Sequence, residues 1–256
     1  MSRPSPVRLD LLLVKRGLAA SRKRAQEMIK EGAVMVDGIP ASKPSMQVRP
    51  DRPIELTRQD FPWVGRGALK LLGALEPLGV DPAGFICADL GSSTGGFTQV
   101  LLEQGARTVY AVDVGKGQLA WSLREHERVV MMEGVNARHL EALPEPIDLI
   151  VGDLSFISLT LILPTVMRLL RPGGQAVVLV KPQFEAGRDQ IGSGGLVKDP
   201  EVRTRAIEKV RENAQDLGFQ VLGGQDCTVP GAKAGNVEYF LHLARPDNEP
   251  ASTEPR

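Results

Sequence analysis

Residues 85–97 have the sequence Phe85-Ile86-Cys87-Ala88-Asp89-Leu90-Gly91-Ser92-Ser93-Thr94-Gly95-Gly96-Phe97. An apolar run ends in an acid, the chain turns through glycines, and the helical pattern of residues 99–102 follows. This order predicts a strand, a tight turn and a helix start, the place where open α/β sheets bind nucleotide-like ligands. A second apolar run, residues 108–112, ends at Asp113 one strand–helix unit later. That interval suits a carboxylate that binds ribose hydroxyls.

The charge of the glycine turn decides which ligand fits it. A dinucleotide site needs Gly-x-Gly-x-x-Gly, so that bare backbone can approach a pyrophosphate. The turn here contains, in order, Gly91, Ser92, Ser93, Thr94 and Gly95. We expect Asp89 to lie inside the turn, where its carboxylate would repel phosphate and attract an ammonium or a sulfonium. No Gly-Lys-Ser/Thr follows, so a P-loop is excluded.

S-adenosylmethionine suits such a site, because it offers an adenosine to Asp113 and a cationic methionine end to Asp89 and has no phosphate. A purely structural βαβ turn is the alternative. The predicted donor-binding residues are Asp89, Gly91, Ser92, Ser93, Thr94, Gly95, Phe97, Asp113, Val114 and Asn136.

Length and composition allow one ordinary core and a small additional module, since the chain has 256 residues of which 42% are hydrophobic. No apolar run approaches the roughly 18 residues that span a membrane. Residues 1–8 lack the apolar core of a signal peptide, so we expect a cytoplasmic location. The two cysteines have no metal-ligand spacing and the three histidines are isolated, so we expect no metal.

The zero net charge of the chain conceals an asymmetry. Residues 1–60 contain 12 Lys and Arg against 7 Asp and Glu, a net charge of +5. The remaining residues contain 19 basic and 24 acidic side chains, a net charge of −5. A basic module joined to a mildly acidic one indicates that the first part binds a polyanion.

The basic part has its own pattern of elements. Leucines 9 and 11–13 predict a short helix that the basic residues and glycine of 15–17 close, and Ser21 is a plausible N-cap for a helix over residues 22–31. Residues 33–39, with an Asp-Gly turn, predict a β-hairpin, and Val48 and residues 54–56 predict further strand. A solvated charged face is the alternative interpretation of the basic residues at the corner between the two helices.

This arrangement resembles the RNA-binding module named after ribosomal protein S-four, on the residues Arg8-Leu9-Asp10, Arg16-Gly17-Leu18, Ser21-Arg22, Ile29, Gly32, Val34 and Val36-Asp37-Gly38. With the following residues 62–71, the chain resembles the haemolysin-A (TlyA) family of ribosomal RNA 2′-O-methyltransferases, whose catalytic domain is FtsJ-like. Together with the residue patterns, the resemblance predicts an α/β fold with an RNA-binding domain over residues 1–60, a linker over 61–67 and a Rossmann-like methyltransferase domain over 68–246, and it adds that the last strand is antiparallel. The tail over 247–256 is polar and contains proline, so we expect it to be disordered.

Four polar residues of the second domain match the catalytic Lys-Asp-Lys-Glu tetrad of the family one for one, and they are Lys70, Asp153, Lys181 and Glu238. The first begins a predicted helix, and the other three lie at the ends of predicted strands. Because the carboxyl ends of parallel strands meet at one edge of a sheet, we expect these side chains to lie close together.

Such a set can activate a ribose 2′-hydroxyl, which is a poor nucleophile until its proton is removed. A partly buried lysine beside another cation can have its pKa lowered and act as a base, and we assign this role to Lys181. Asp153 and Glu238 would orient the two lysines, while Lys70 would stabilise the developing alkoxide.

The resemblance also implies partners, namely ribosomal RNA and ribosomal subunits, and basic contacts at Arg8, Arg16, Arg22, Lys23 and Lys43. Asn136 stands where many methyltransferases place an acid that reads adenine, and the family commonly has Asn there. The long glycine-rich stretch 182–200 is either a substrate lid or disordered. No protein partner can be inferred.

Two other functions are weighed against this hypothesis. One is a non-catalytic RNA-binding or ribosome-binding protein with a degenerate methyltransferase fold, and the complete tetrad argues against it. The other is a membrane-lytic haemolysin, as the older family name suggests. The sequence offers it neither a transmembrane segment nor a long, strongly amphipathic cationic helix.

Overall fold

The structure is a computed structural model that describes residues 5–16, 18–19, 21–57, 63–229 and 235–247. The chain divides into two compact units, Met1–Pro62 and Trp63–Arg256. The tail predicted to be disordered lies outside the described residues from 248 onward, and so do Gly17 and part of the predicted linker. The domain limits given above stay predictions.

In its described residues, the first unit contains short strands and two helices. The strands are β1 (Val7–Arg8), β2 (Val34–Val36), β3 (Ile39–Pro40), β4 (Gln47–Val48) and β5 (Ile54–Leu56), and the helices are α1 (Leu9–Lys15) and α2 (Arg22–Lys30). Strand β2 pairs antiparallel with β3 and β5, and β1 pairs antiparallel with β4. Leucines of α1 pack against Ala25, Met28 and Ile29 of α2 in the core of this unit.

Local signals in this unit act as the sequence predicts. The Ser21 hydroxyl accepts a hydrogen bond from the backbone N–H of Arg24 at 3.1 Å, so Ser21 caps α2. Asp37 and Gly38 have φ values of 53° and 76° and connect β2 to β3. Positive φ at both central residues is the requirement of a tight hairpin turn, which Asp-Gly meets well. The predicted hairpin is confirmed.

The second unit contains a large sheet and the helices that cover it. Its strands are β6 (Ile86–Leu90), β7 (Thr108–Asp113), β8 (Val129–Glu133), β9 (Ile147–Gly152), β10 (Leu170–Val180), β11 (Gln220–Asp226) and β12 (Tyr239–Ala244). Its α-helices are α3 (Gly67–Leu75), α4 (Gly96–Glu103), α5 (Trp121–Arg124), α6 (Leu163–Leu169), α7 (Pro182–Glu185) and α8 (Pro200–Asp216). Short 3-10 turns occur at Ala137–His139, Leu159–Leu161, Arg188–Gln190 and Ser193–Gly195. In the part of the chain that the structure describes, every helix is too short or too polar to span a membrane.

The sheet is mostly parallel and Rossmann-like. Over the part of the unit that the structure describes, seven strands follow the order β11-β12-β10-β9-β6-β7-β8. Neighbouring strands from β10 to β8 are parallel, and β12 runs antiparallel to both β10 and β11. Alternate residues of the central strands belong to two different core clusters, so both faces of the sheet are covered. The predicted fold and its antiparallel last strand are confirmed.

Strand direction brings the chemically important positions to one edge of this sheet. Strands β9 and β10 end immediately before Asp153 and Lys181, and antiparallel β12 begins immediately after Glu238. Val180 of β10 is paired with Tyr239 of antiparallel β12. Lys181, which follows Val180, and Glu238, which precedes Tyr239, therefore lie next to each other at the same end of this strand pair. This edge is where open α/β sheets bind their ligands.

Candidate active site

A cavity of about 590 Å³ lies at this edge of the sheet. Its lining includes the glycine turn from Gly91 to Thr94, the beginning of α3, and the four residues of the predicted tetrad. The volume lies within the roughly 300–1,000 Å³ that is typical of small-molecule sites. Within the residues described, no group of three or more His, Cys, Asp and Glu side chains is arranged to hold a metal ion.

The four tetrad side chains form a chain of alternating charges, here named the lysine–carboxylate chain. Lys181 Nζ lies 2.7 Å from Asp153 Oδ1, and Lys70 Nζ lies 3.2 Å from Asp153 Oδ2. The same Lys70 ammonium donates to Glu238 Oε2 at 2.7 Å. Two ammonium groups and two carboxylates give this cluster a net charge of zero, and all four side chains are largely buried.

Burial and pairing act in opposite directions on the ionisable groups of this chain. Burial by itself would raise the pKa of Asp153, but the neighbouring ammonium groups of Lys181 and Lys70 outweigh it and lower that pKa. Burial would likewise lower the pKa of Lys70, but Asp153 and Glu238 outweigh it and raise that pKa. Lys70 therefore holds its proton firmly, since two carboxylates surround it.

Close backbone approach at Gly96 brings α3, and with it Lys70, to the glycine turn. A Cβ atom at this position would lie 2.8 Å from the backbone nitrogen of Ala68 in α3, so no larger residue fits without movement. Gly91 has φ +85° and would place a Cβ 3.3 Å from the carbonyl oxygen of Asp153. Glycine at these two positions thus lets α3 and the segment after β9 meet over one turn.

The segment after β9 carries two residues that the sequence analysis did not select. The Ser155 hydroxyl accepts a hydrogen bond from Lys181 Nζ at 2.7 Å. Phe156 is 81% exposed on the lining of the cavity, has φ 65°, and its ring centroid lies 5.3 Å from that of Phe184. Positive φ is uncommon for a bulky residue and often marks a functional site. They lie two and three positions after the tetrad aspartate, and this closeness in sequence was the signal that could have identified them.

Glu185 holds this segment against α7. Its buried carboxylate accepts hydrogen bonds from the Ser158 hydroxyl at 2.5 Å and from the backbone N–H of Leu159 at 2.7 Å. Burial raises the pKa of Glu185, and these two hydrogen bonds offset the rise only in part. The carboxylate therefore links the chain that follows Asp153 to the chain that follows Lys181.

The stretch 182–200 has more structure than its composition suggests. It contains α7 and the two 3-10 turns Arg188–Gln190 and Ser193–Gly195, where the sequence predicts a loop without elements of its own. Buried Asn236 donates to the carbonyl oxygen of Gly195 at 2.8 Å and accepts from the backbone N–H of Val197 at 2.9 Å. Asn236 lies about 40 residues further along the chain, so the neighbouring sequence alone could not predict that this stretch has a defined structure.

The predicted donor-binding residues divide into two groups. Gly91, Ser92, Ser93, Thr94 and Phe97 line the cavity. The other five do not belong to its lining, and they are buried Asp89, buried Gly95, Asp113, exposed Val114 and exposed Asn136. The carboxylate of Asp113 nevertheless reaches the glycine turn, since it accepts hydrogen bonds from the backbone N–H groups of Ser93 at 2.8 Å and of Gly115 at 2.7 Å.

The expectation that Asp89 lies inside the turn is wrong. Asp89 is paired with Ala111 and Val151 in the neighbouring strands, so β6 continues past it to Leu90. Its carboxylate is completely buried, accepts a hydrogen bond from Thr98 at 2.7 Å, and has one oxygen without a hydrogen-bond partner within the described structure. Burial raises the pKa of Asp89 to about 7. Direct contact with a cationic ligand stays a prediction.

Each of the two units matches a known protein family. Residues 63–245 match the model of the FtsJ-like methyltransferases, and residues 7–54 match the S4 domain. The 16S/23S rRNA (cytidine-2'-O)-methyltransferase TlyA of Mycobacterium tuberculosis is 50% identical over 239 residues, which cover 92% of this chain and 89% of that protein. The chain belongs to the TlyA (haemolysin A) family. It is a methyltransferase.

Other members of this family are similar over nearly their whole length. Hemolysin A of Brachyspira hyodysenteriae is 37% identical, over 93% of this chain and 99% of that protein. The solved structure of a protein from Streptococcus thermophilus that is named a hemolysin is 40% identical in sequence. It superposes with a TM-score of 0.75 and covers 95% of this chain and 90% of that one.

The five basic residues predicted to contact RNA differ in their hydrogen-bond partners within the S4 domain. Arg8 and Arg22 both bind the carboxylate of Asp10, through hydrogen bonds of 2.9–3.0 Å. The Arg16 guanidinium donates to the carbonyl oxygens of Pro50 and Arg52. The remaining two predicted contacts, Lys23 and Lys43, are exposed.

Proposed function

We propose that this enzyme transfers the methyl group of S-adenosylmethionine to the 2′-hydroxyl of a cytidine in ribosomal RNA, and that it acts in the cytoplasm. The lysine–carboxylate chain beside the glycine turn is the observation that carries the proposal. Similarity to an enzyme named for cytidine-2′-O-methylation of 16S and 23S ribosomal RNA supports the choice of substrate.

The residues around the glycine turn fit S-adenosylmethionine. The carboxylate of Asp113 is oriented by the backbone N–H groups of Ser93 and Gly115. A carboxylate has about four acceptor sites, so two remain for the ribose hydroxyls of the donor. We assign the methionine end to Gly91, Ser92 and Thr94, and the adenine to Val114 and Asn136. When bound, the donor supplies a methyl group on positively charged sulfur.

We assign the base to Lys181 because its ammonium group contacts one carboxylate whereas that of Lys70 contacts two. Lys181 acts as the base in its neutral amine form: its Nζ accepts the proton of the 2′-hydroxyl while the hydroxyl oxygen forms the bond to the methyl carbon, and the bond from that carbon to sulfur breaks so that the neutral thioether leaves. Lys70 keeps its proton and stabilises the charge that develops on the oxygen. Asp153 contacts both lysines and fixes the distance between their ammonium groups.

Two aromatic side chains suit the target nucleotide. Phe156 and Phe184 form a ring pair on the lining of the cavity that also contains Lys181. Enzymes that modify a nucleotide commonly pull it out of its stack and hold the base against aromatic side chains. We assign the base of the methylated nucleotide to this pair. Glu185 then serves to hold the Phe156 segment and α7 together.

The basic S4 unit binds the RNA backbone in this proposal. Its net charge of +5 over residues 1–60 favours a polyanion, and phosphate contacts fix the register of a protein on its RNA without reading bases. We assign these contacts to Arg8, Arg16, Arg22, Lys23 and Lys43. Selection of the nucleotide then depends on RNA shape and on the cavity.

Mass spectrometry of ribosomal RNA from cells with and without the gene tests the substrate. We expect one or more cytidine ribose methylations to disappear without the gene and to return when the wild-type chain is restored. Restoration by Lys181→Met should fail, and the matched surface variant Lys198→Met should succeed. An unchanged methylation pattern would contradict the proposed substrate.

Calorimetric titration with S-adenosylmethionine tests the enzyme separately from its substrate. If the protein binds the donor but transfers no methyl group to either ribosomal subunit, it is a methyltransferase that acts on another substrate. Absence of donor binding, together with retained RNA binding, would favour the non-catalytic RNA-binding protein. Dye release from lipid vesicles on addition of the protein would favour the membrane-lytic function.

A further inference from the structure

Asp10 is a completely buried carboxylate that lies between two partly exposed cations of the S4 unit. It accepts hydrogen bonds from Arg8 Nε at 3.0 Å and Nη2 at 2.9 Å, and from Arg22 Nε at 3.0 Å. Gln26 Nε2 donates to it at 2.9 Å, and the backbone N–H of Leu11 donates at 3.0 Å. We name Arg8, Asp10 and Arg22 the arginine cluster.

The arginine cluster has a net charge of +1, because one carboxylate faces two guanidinium groups. The hydrogen bond from Arg8 is the largest cause that lowers the pKa of Asp10, so the acid stays ionised. Asp10 has no exposed surface, whereas the Arg8 side chain is 36% exposed and that of Arg22 is 54% exposed. The surface of the cluster is therefore formed by the two cations.

Both guanidinium groups retain donors for a ligand. A guanidinium has five N–H groups. Among the hydrogen bonds of the described residues, Arg8 uses Nε and Nη2 toward Asp10, and Arg22 uses Nε. The planar fork of arginine matches the oxygens of a phosphate, and a fork that is already held in place loses less conformational entropy on binding.

We propose that Asp10 is a positioning residue for RNA recognition, which holds Arg8 and Arg22 as one preformed site for a backbone phosphate. The inference rests on the proposed function, since it names an RNA ligand for the S4 unit. The buried carboxylate of Asp10 thus strengthens phosphate binding by holding the two arginines, although its own negative charge repels the phosphate.

Simple electrostatics and positioning predict effects of opposite sign when Asp10 is neutralised. Asp10→Asn raises the net charge of the S4 unit by one. If charge alone governs binding, the affinity for RNA should rise, because each added positive charge favours a polyanion. If Asp10 positions the arginines, the affinity should fall, since the two side chains then adopt many conformations.

The experiment measures binding of the full-length chain to purified small and large ribosomal subunits at several salt concentrations. Glu55→Gln is the matched control, because Glu55 is an exposed acid of β5 in the same unit and its loss changes the charge equally. We expect Asp10→Asn to weaken binding about 3- to 10-fold and Glu55→Gln to leave it unchanged or tighter. Binding by Asp10→Asn that equals or exceeds wild type overturns the inference.

Kinetics separate positioning from general damage to the fold. We expect Asp10→Asn to raise KM for ribosomal subunits and to leave both kcat and donor affinity within about twofold of wild type. A fall in kcat with unchanged KM overturns the inference.

A second variant covers the case in which Asp10→Asn unfolds the S4 unit. Arg22→Lys keeps the charge and loses the planar fork, so positioning predicts about threefold weaker subunit binding with an unchanged circular dichroism spectrum. Unchanged binding by this variant overturns the inference. Failure of the wild-type chain to bind any subunit refutes the proposed function, whereas tight wild-type binding with tighter Asp10→Asn binding refutes only the positioning role.

Discussion

In each unit of this protein one carboxylate is shared by two cationic side chains. Asp153 contacts Lys70 and Lys181 in the cavity, and Asp10 contacts Arg8 and Arg22 in the S4 unit. The two clusters differ in net charge, because Glu238 completes the first to zero whereas the second remains at +1. They also differ in exposure, since the lysines are 11% and 8% exposed and the arginines 36% and 54%.

The identity of the cation explains the difference. A lysine can lose its proton when its surroundings change, so a buried, neutral cluster of lysines and carboxylates can move a proton. An arginine always keeps its charge, so an exposed arginine cluster can only bind. The same local pattern therefore suits acid–base chemistry in one unit and phosphate binding in the other.

Removal of the S4 unit should give the largest effect. A chain that begins near Phe61 lacks the arginine cluster but keeps the lysine–carboxylate chain. We expect it to bind the donor normally and to methylate ribosomal subunits at least about 100-fold more slowly, because a linked binding module can strengthen overall binding by about 10²–10⁴-fold. Wild-type rates at physiological salt would show that the S4 unit is not the RNA-binding element.

Substitutions of Lys181 should sharpen the assignment of the base. We expect Lys181→Met and Lys181→Arg each to reduce methyl transfer by about 10²-fold or more, since neither side chain can take up a proton. Donor binding should stay within a few-fold of wild type by calorimetry.

Two control variants accompany that measurement. Lys70→Arg keeps a charge that stabilises the alkoxide, so it should retain more activity than Lys181→Arg. Lys198→Met, at an exposed position of the glycine-rich stretch, should be fully active. Equal losses in Lys70→Arg and Lys181→Arg would not support Lys181 as the base.

A change at Asp113 should affect the donor and leave both clusters intact. Asp113→Ala removes the acceptor for two ribose hydroxyls, and we expect roughly 2–3 kcal/mol weaker binding of S-adenosylmethionine in calorimetry. RNA binding should be unchanged. Because Asp113 also accepts N–H groups of Ser93 and Gly115, Asp113→Asn serves as the milder variant. Unchanged affinity in both variants would remove Asp113 from the donor site.

Acid should remove the contribution of Asp10 to stability, and this is the smallest effect. The pKa of Asp10 is lowered on folding, so its stabilisation is present above about pH 4 and is lost as the pH falls through the folded value. We expect Asp10→Asn to cost about 2 kcal/mol of unfolding free energy at pH 7 and progressively less below pH 4.

Circular dichroism and fluorescence together assign that loss to one unit. Both tryptophans, Trp63 and Trp121, belong to the second unit, so their fluorescence does not follow the S4 unit. We expect the difference between wild type and Asp10→Asn in urea unfolding to show in circular dichroism and not in fluorescence. A difference that stays constant down to pH 2 would contradict the role of the ionised carboxylate.

Sequence patterns predicted most of the elements that carry the site. Ser21 caps α2, the Asp37-Gly38 turn closes a hairpin, and the apolar runs before Asp153 and Lys181 form parallel strands. These features depend on residues that are close together in the sequence, so the local sequence pattern is enough to predict them. The turn at residues 91–95 was predicted for the same reason, but the burial of Asp89 was not, because pairing with two other strands decides it.

The sequence by itself determined the strand–turn–helix at residues 85–97, the order of the elements and the residue types at the strand ends. Only the tertiary structure decided which charges meet. Lys70 and Glu238 are 168 residues apart in the chain, and Asp10 and Gln26 are 16 apart, yet each pair forms a hydrogen bond below 3 Å. Burial and pairing set the ionisation of these groups, and both arise only when distant segments pack together.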